Sequence, residues 1–183
     1  MIFLIIKACE LGFVGLFIDE KYRGGGYGYL ETALVTEEFA RVDMGLGGAT
    51  LCPCFGAEML LLFGTEQQKE RFLVPICSGD AISAVAATEP DAGSDVLSVS
   101  TRAEKDGDHY VVNGSKMFIS NGNIANFFVT LCLTNPEVES RHQRHSVFVI
   151  DASSPGITRN KIRGKLGIRA HDTAEIFFDN VEV

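Results

Sequence analysis

The 183-residue chain contains no tryptophan, only five prolines, and fewer basic than acidic side chains, with 16 Lys and Arg against 24 Asp and Glu. The net charge of −8 argues against a nucleic-acid partner, because phosphate binding needs clustered basic residues. The first apolar run, Met1–Ile6, is followed at once by Lys7, whereas a membrane span needs roughly 20 apolar residues. The five cysteines are odd in number and scattered, which is typical of reduced thiols rather than of a disulfide framework.

The first part of the chain has the spacing of apolar residues that is typical of helices. Leu30 and Leu34 belong to an amphipathic helical repeat. The Gly- and Leu-rich segment Gly45–Phe63 predicts one helix that is buried on most sides. Thr65, followed three residues later by Gln68, predicts a capping box that opens a further helix.

The apolar period changes to two after Gly79. Strands are predicted at Ile82–Ala87, Phe127–Leu133, Val147–Ile150 and Ile176–Val183. Asn113-Gly114 lies between two short apolar runs and predicts a hairpin turn, because Asn-Gly adopts the two positive φ angles of a type I′ turn. The sequence therefore predicts an α+β protein, with an N-terminal all-α domain over residues 1–80 and a β-barrel or sandwich over residues 81–183.

A polar turn follows the first predicted strand. Thr88–Asp95 reads Thr-Glu-Pro-Asp-Ala-Gly-Ser-Asp, in which Pro90 ends the strand and small residues follow. Such a turn exposes consecutive backbone N–H groups that, with the hydroxyls of Thr88 and Ser94, hold an anionic or oxygen-rich ligand. The same pattern also fits an ordinary connection between a strand and a turn.

A second candidate segment contains Phe118 and Ser120, which lie two residues apart on a predicted strand. Their side chains should therefore point to the same face. A flat aromatic ring beside a hydroxyl suits a planar heteroaromatic ligand. The alternative is a core phenylalanine next to a solvated serine at a strand end.

Two further patterns are less specific. His142 and His145, with the distant His171, have no cysteine or carboxylate at the usual ligand spacing, so no metal site is predicted. The segment Arg141–Arg169 holds seven Lys and Arg but one acid. It faces either phosphate groups or an acidic partner, or it is a solvated loop.

The two candidate segments together resemble the acyl-CoA dehydrogenases. The resemblance rests on Thr88–Asp95 and on Asn113–Gly122, which reads Asn-Gly-Ser-Lys-Met-Phe-Ile-Ser-Asn-Gly. Glu10–Gly25, Phe63–Lys69 and Lys165–Val181 are similar to other parts of the family. The resemblance therefore extends over nearly the whole chain.

The resemblance implies the fold of that family, in which FAD lies between the β domain and a C-terminal helical domain that this chain lacks. We therefore expect an incomplete chain. Thr88 would form hydrogen bonds with the pyrimidine edge of the flavin, and Ser120 would lie near N5. Phe118, at a position where the family commonly has tryptophan, would stack on the flavin ring. Ser94 would also contact the acyl-CoA. The implied cofactor-binding residues are Val85, Ala87, Thr88, Gly93, Ser94, Phe118, Ile119 and Ser120.

The resemblance also implies the reaction, which is FAD-dependent oxidation of an acyl-CoA thioester to the 2,3-enoyl-CoA by α-proton abstraction and β-hydride transfer. In the family, the catalytic base is a glutamate of the C-terminal domain. We therefore expect no catalytic residue in these 183 residues and do not assign the role of the base to Glu89. We also expect the chain alone to be inactive. The implied partners are acyl-CoA, an electron-transfer flavoprotein or similar acceptor, and further copies of the full-length chain. The implied location is the cytoplasm, or the mitochondrial matrix of a eukaryote. Alternatives are an acyl-CoA oxidase-like flavoprotein and a truncated, non-catalytic interaction module.

Overall fold

The structure, a computed structural model, describes residues 2–183, and Met1 lies outside the described residues. The contacts within the chain define two compact units. The helical unit comprises the residues up to Ala84 together with Gly164–His171, and the sheet unit comprises Val85–Arg163 and Asp172–Val183. The chain thus returns to the helical unit late in the sequence, whereas the sequence pattern places one boundary at residue 80.

Five α-helices occur within residues 2–183: α1 (Ile2–Glu10), α2 (Tyr29–Val42), α3 (Met44–Leu51), α4 (Ala57–Phe63) and α5 (Glu66–Ser78). The predicted capping box is confirmed at the start of α5. The Thr65 hydroxyl accepts from the Gln68 N–H at 3.2 Å, and the Gln68 side chain accepts from the Thr65 N–H at 2.9 Å. None of the helices described is long and apolar enough to cross a membrane.

The prediction of a single helix over Gly45–Phe63 is wrong. α3 ends at Leu51, and Cys52–Cys54 form a 3-10 turn that contains Pro53. Proline cannot donate the helical hydrogen bond, and Gly56 then adopts the left-handed conformation at φ 94° before α4 begins.

α2 is a helix, as predicted, but its apolar stripe lies outside the core of the residues that the structure describes. Leu30 is 69% exposed and Leu34 is 54% exposed, while Thr32 is buried. The core of the helical unit is built from other elements, and its buried side chains include Ile5, Val14, Ile18, Leu60, Leu73 and Ile76.

Seven strands occur in the described part of the chain: β1 (Ser83–Ala86), β2 (Arg102–Asp106), β3 (His109–Ser120), β4 (Phe127–Leu133), β5 (His145–Asp151), β6 (Ile157–Lys161) and β7 (Thr173–Glu182). They form one sheet in the order β1-β4-β2-β3-β7-β6, and β5 pairs with β4. Its core side chains include Val112, Phe128, Ile150, Ile176 and Val181. The predicted α+β class, with a helical lobe followed by a β domain, is confirmed.

The predicted hairpin turn at Asn113-Gly114 is wrong, because β3 runs through both residues. The turn that joins β2 to β3 instead contains Gly107, at φ 60°. A Cβ on Gly114 would lie 2.5 Å from the Thr101 hydroxyl oxygen, and Gly114 itself has φ 149°. Gly114 therefore does not form a turn. It allows the backbone at Thr101 to approach β3 closely.

The ladder between β3 and β7 is irregular at this point. Val112 pairs with Val181. The next pair joins Gly114 to Phe178, so β7 carries one residue more than β3 there. The bulged segment of β7 includes Asn180 in the left-handed conformation at φ 51°.

Candidate functional site

The turn after β1 is closed by its own backbone. The Glu89 N–H donates to the Ala92 carbonyl at 2.9 Å, and the Ala92 N–H donates to the Glu89 carbonyl at 3.2 Å. Pro90 follows Glu89, where its fixed φ suits a turn. Within residues 2–183, the N–H groups of Gly93 and Ser94 donate to no protein acceptor, and a Cβ on Gly93 would meet no atom within 4 Å. The turn therefore presents two open donors at an exposed surface.

Thr88, which precedes this turn, is held against β3. The Met117 N–H donates to the Thr88 carbonyl at 2.8 Å. Thr88 therefore lies beside the residue that directly precedes Phe118. The half-buried Thr88 and the Phe118 segment are thus joined through the backbone.

Phe118 occupies a second bulge, this time in β3. Lys116 pairs with Ile176. The next pair joins Ile119 to Ala174, so β3 carries one extra residue. Phe118 adopts the left-handed conformation at φ 57°, which is rare for an aromatic residue, and it is 61% exposed.

The bulge determines which side chains leave the core. Lys116 and Ile119 are both buried, whereas regular alternation from Lys116 would turn residue 118 towards the core and residue 119 away from it. Ser120 follows buried Ile119, so alternation places it on the outer face, where Phe118 is exposed. Left-handed backbone costs a non-glycine residue about 1–3 kcal/mol and is concentrated at ligand sites, which makes the exposed Phe118 ring a candidate binding surface.

A buried ion pair anchors the same segment. Lys116 Nζ donates to Glu89 Oε1 at 2.9 Å, to the Ala87 carbonyl at 3.1 Å and to the Leu131 carbonyl at 2.7 Å. The lysine and glutamate side chains are 0% and 4% exposed. Every proton of the ammonium thus has an acceptor.

The glutamate of this pair is held as a carboxylate. Burial alone would raise the pKa of Glu89, but hydrogen bonds from Thr101, Ser100 and Lys116 outweigh burial and lower the pKa to about 2. Burial lowers the pKa of Lys116, against the opposing effect of the Glu89 charge. Glu89 is therefore an acceptor for four donors in the chain rather than a free base.

The eight predicted cofactor residues differ in accessibility. Gly93, Ser94 and Phe118 are exposed; Val85, Ala87, Thr88 and Ser120 are half-buried; Ile119 is buried. The backbone bond described above brings Thr88 to the Phe118 segment, whereas no hydrogen bond in residues 2–183 joins Gly93 or Ser94 to β3. Sequence reasoning missed Lys116, because lysine is rarely buried and its partner Glu89 lies 27 residues away in the sequence.

Two of the seven basic side chains in the segment Arg141–Arg169 pair with carboxylates of the described residues. Arg141 Nη2 donates to both carboxylate oxygens of Asp95, at 3.0 and 2.9 Å, directly after the turn. Lys161 Nζ lies 3.5 Å from Asp172 Oδ1. Hydrogen bonds from Ser98 and Arg141 lower the pKa of Asp95. Among the described residues, no group of three side chains is arranged to hold a metal ion.

The Phe118 segment and the turn after β1 both present groups that can contact a ligand. The exposed ring offers an apolar stacking face. The open N–H groups of Gly93 and Ser94, and the hydroxyls of Thr88, Ser94 and Ser120, are donors of the kind that carbonyl and ring-nitrogen acceptors need. The empty space above Gly93 leaves room for a ligand to approach the backbone.

Comparisons with known proteins agree on one family. The N-terminal domain of the acyl-CoA dehydrogenases matches residues 3–80, and the middle domain matches residues 84–181. An acyl-CoA dehydrogenase of Bacillus subtilis (strain 168) is 37% identical over 181 residues, which are 98% of this chain and 47% of that protein.

Two solved structures have the same fold as the chain. The acyl-CoA dehydrogenase of Geobacillus kaustophilus has a TM-score of 0.90 and 37% identity, covering 100% of this chain and 48% of that one. A glutaryl-CoA dehydrogenase of Mycobacterium smegmatis in complex with FADH2 has a TM-score of 0.90 and 30% identity, covering 100% and 46%. The chain thus spans about half the length of these relatives. By both sequence and fold, it belongs to the acyl-CoA dehydrogenase family.

Proposed function

We propose that the chain forms the flavin-facing part of an FAD-dependent enzyme that oxidises an acyl-CoA thioester to the 2,3-enoyl-CoA. The observation that carries the proposal is the exposed Phe118 ring, held in a left-handed bulge next to the segment of Thr88. The likeness to a glutaryl-CoA dehydrogenase in complex with FADH2 supports FAD as the cofactor.

The chain's own residues would bind and orient the ring. Phe118 packs against its apolar face, and Ser120, on the same outer face of β3, donates or accepts a hydrogen bond at the ring's edge. Thr88 and the open N–H groups of Gly93 and Ser94 donate to the carbonyl edge. Donors fixed in this way stabilise negative charge that builds up on the ring, because they need no reorganisation at that moment.

FAD, when bound, supplies the acceptor for the hydride that leaves the β-carbon of the substrate. Removal of the α-proton needs a base, and Glu89 does not suit this role because its carboxylate is buried and accepts hydrogen bonds from the chain itself. We assign the base to a residue outside these 183 and expect this chain alone to have no dehydrogenase activity. Ser94, exposed at the rim of the turn, is proposed to contact the acyl-CoA.

Electrons would leave through an electron-transfer flavoprotein or a similar acceptor, and the full-length protein would assemble with further copies of itself. The proposed location is the cytoplasm, or the mitochondrial matrix if the source is a eukaryote. These proposals rest on family membership.

FAD binding is the decisive experiment. Titration of the 183-residue chain with FAD, followed by flavin fluorescence, should give saturable quenching. Phe118→Ala should raise Kd about tenfold or more, because stacking on an aromatic side chain is worth about 1–3 kcal/mol. Phe148→Ala is the matched control, since it removes a half-buried ring from β5 in the same unit and should leave Kd within about twofold.

Three outcomes separate the proposal from its alternatives. A chain that binds no FAD contradicts the proposal and favours a non-catalytic interaction module. Turnover of short, long or branched acyl-CoA by the FAD-loaded chain, with an artificial acceptor, would place the base within these 183 residues. Rapid reoxidation by oxygen of the flavin in the full-length protein, after reduction by acyl-CoA, would indicate an oxidase instead of a dehydrogenase.

A further inference from the structure

The Lys116–Glu89 pair is fully hydrogen-bonded within the sheet unit. Lys116 has three oxygen acceptors, and the Glu89 carboxylate accepts from Lys116, from the Thr101 N–H at 2.9 Å, and from the N–H and hydroxyl of Ser100, each at 2.7 Å. A buried ion pair of this kind gains little over apolar residues of the same volume, because both charges are desolvated. Its geometry, rather than its energy, is the property that distinguishes it.

The geometry of the pair encloses Thr88. The Lys116 ammonium bonds to the carbonyl before Thr88, on Ala87, and to the side chain after it, on Glu89. The Thr88 carbonyl itself accepts from Met117, the neighbour of Lys116. Three consecutive residues of the turn segment are therefore fixed to two consecutive residues of β3.

The same two residues of β3 lead into the bulge at Phe118. Since Lys116 is the last regularly paired residue before the bulge, its side chain fixes the start of the segment that turns the Phe118 ring outwards. A lysine has enough reach to join the two segments through one atom, and its three donors define direction as well as distance.

We propose that Lys116 and Glu89 are positioning residues of the flavin site, which set Thr88 at a fixed place relative to the Phe118 ring. This assignment rests on the proposed function, since it takes FAD as the ligand of that surface. Neither residue touches the cofactor in this assignment. Both act through the backbone of the turn and of β3.

The test replaces both charges at once, because removing only the lysine would leave a buried carboxylate without its partner. The double variant Lys116→Met/Glu89→Gln keeps similar volumes and no net buried charge. We expect it to fold, to bind FAD at least tenfold more weakly than the wild type, and to shift the visible absorption band of the bound flavin. In the protein without FAD, hydrogen exchange at the Met117 amide should accelerate at least tenfold.

A matched control separates positioning from general destabilisation. Val181→Ala removes a buried side chain from β7 in the same unit, at a position paired with Val112. This control should match the wild type in FAD affinity per folded molecule, in the flavin spectrum and in Met117 exchange relative to neighbouring amides. The match should hold even if its melting temperature falls as far as that of the double variant. Glu89→Gln alone keeps an oxygen acceptor for Lys116 but leaves the ammonium without its counter-charge. It provides a second test and should weaken FAD binding severalfold per folded molecule.

The outcomes distinguish this assignment from the proposed function. A wild-type chain that binds FAD, together with substituted chains that fold and bind FAD with the same Kd and spectrum, overturns the assignment alone. A wild-type chain that does not bind FAD overturns the proposed function and the assignment with it.

Discussion

Acid should weaken the sheet unit through protonation of the buried carboxylate of Glu89. Its pKa is about 2 in the folded chain, against an ordinary value of 4.5. A pKa that is lowered by folding stabilises the folded state above the ordinary value, and this contribution is lost as the pH falls towards the folded value. The difference of about 2.5 pH units, at 1.36 kcal/mol each, corresponds to about 3 kcal/mol lost between pH 5 and pH 2.

Urea unfolding at a series of pH values would measure this effect. Because the chain has two compact units, the unfolding signal should come from the sheet unit alone, for example from the NMR peak intensities of Val112 and Val129. The free energy of unfolding should fall by about 3 kcal/mol less in Glu89→Gln than in the wild type over this range. Glu89→Gln should also be less stable at pH 7, where the wild-type carboxylate is fully charged.

Glu104→Gln is the control, because Glu104 is an exposed carboxylate on β2 of the same unit. Its pH dependence should follow that of the wild type. If Glu89→Gln retains the wild-type dependence between pH 5 and pH 2, Glu89 does not titrate in this range in the way that its contacts require, and the argument from its four donors is refuted.

Four substitutions test the backbone, a helix cap and the turn. Gly114→Ala should destabilise the sheet unit by about 3 kcal/mol in urea unfolding, since its Cβ would overlap Thr101, whereas Gly107→Ala, at a positive φ with open space, should cost only about 1–2 kcal/mol. Equal losses would contradict the close-approach argument. Thr65→Ala should lower the stability of the helical unit by about 1 kcal/mol through loss of the capping box, as measured from helical NMR peaks, and an unchanged stability would contradict it. Gly93→Ala should leave stability within about 0.5 kcal/mol but raise the Kd for FAD severalfold, because the added methyl fills the open approach to the turn; unchanged FAD affinity would argue against binding there.

Local patterns were sufficient for most of the fold. Phe127–Leu133 was predicted with the same bounds as β4, since its apolar composition and length leave few alternatives. The Thr65 capping box was likewise predictable, because both of its hydrogen bonds lie within four residues. Pro53 lies inside the apolar segment Gly45–Phe63, and a proline within a helical pattern ends or kinks the helix.

Long-range pairing explains why the turn prediction at Asn113-Gly114 is wrong and why the Phe118 bulge and the buried ion pair were not predicted. Asn113-Gly114 has the composition of a turn, but Asn113 instead bonds to Asn180, 67 residues away, and pairing with β7 keeps β3 extended. The bulge at Phe118 depends on the same partner strand, so no window of sequence around Phe118 contains the information. The Lys116–Glu89 pair joins residues 27 apart, and only the fold brings them together.

The two irregularities of the β3–β7 ladder also have a joint consequence. Val111 pairs with Glu182 at one end and Ser120 with Thr173 at the other, the same number of residues apart on each strand. The extra residue in β7 and the extra residue in β3 therefore cancel, like an insertion and a deletion that together restore a reading frame. Loss of one bulge without the other would shift every β3–β7 pair beyond it by one residue. A one-residue insertion or deletion beside Gly114 would therefore change which residue of β7 pairs with Ser120, although the sequence at both ends of the ladder is unchanged.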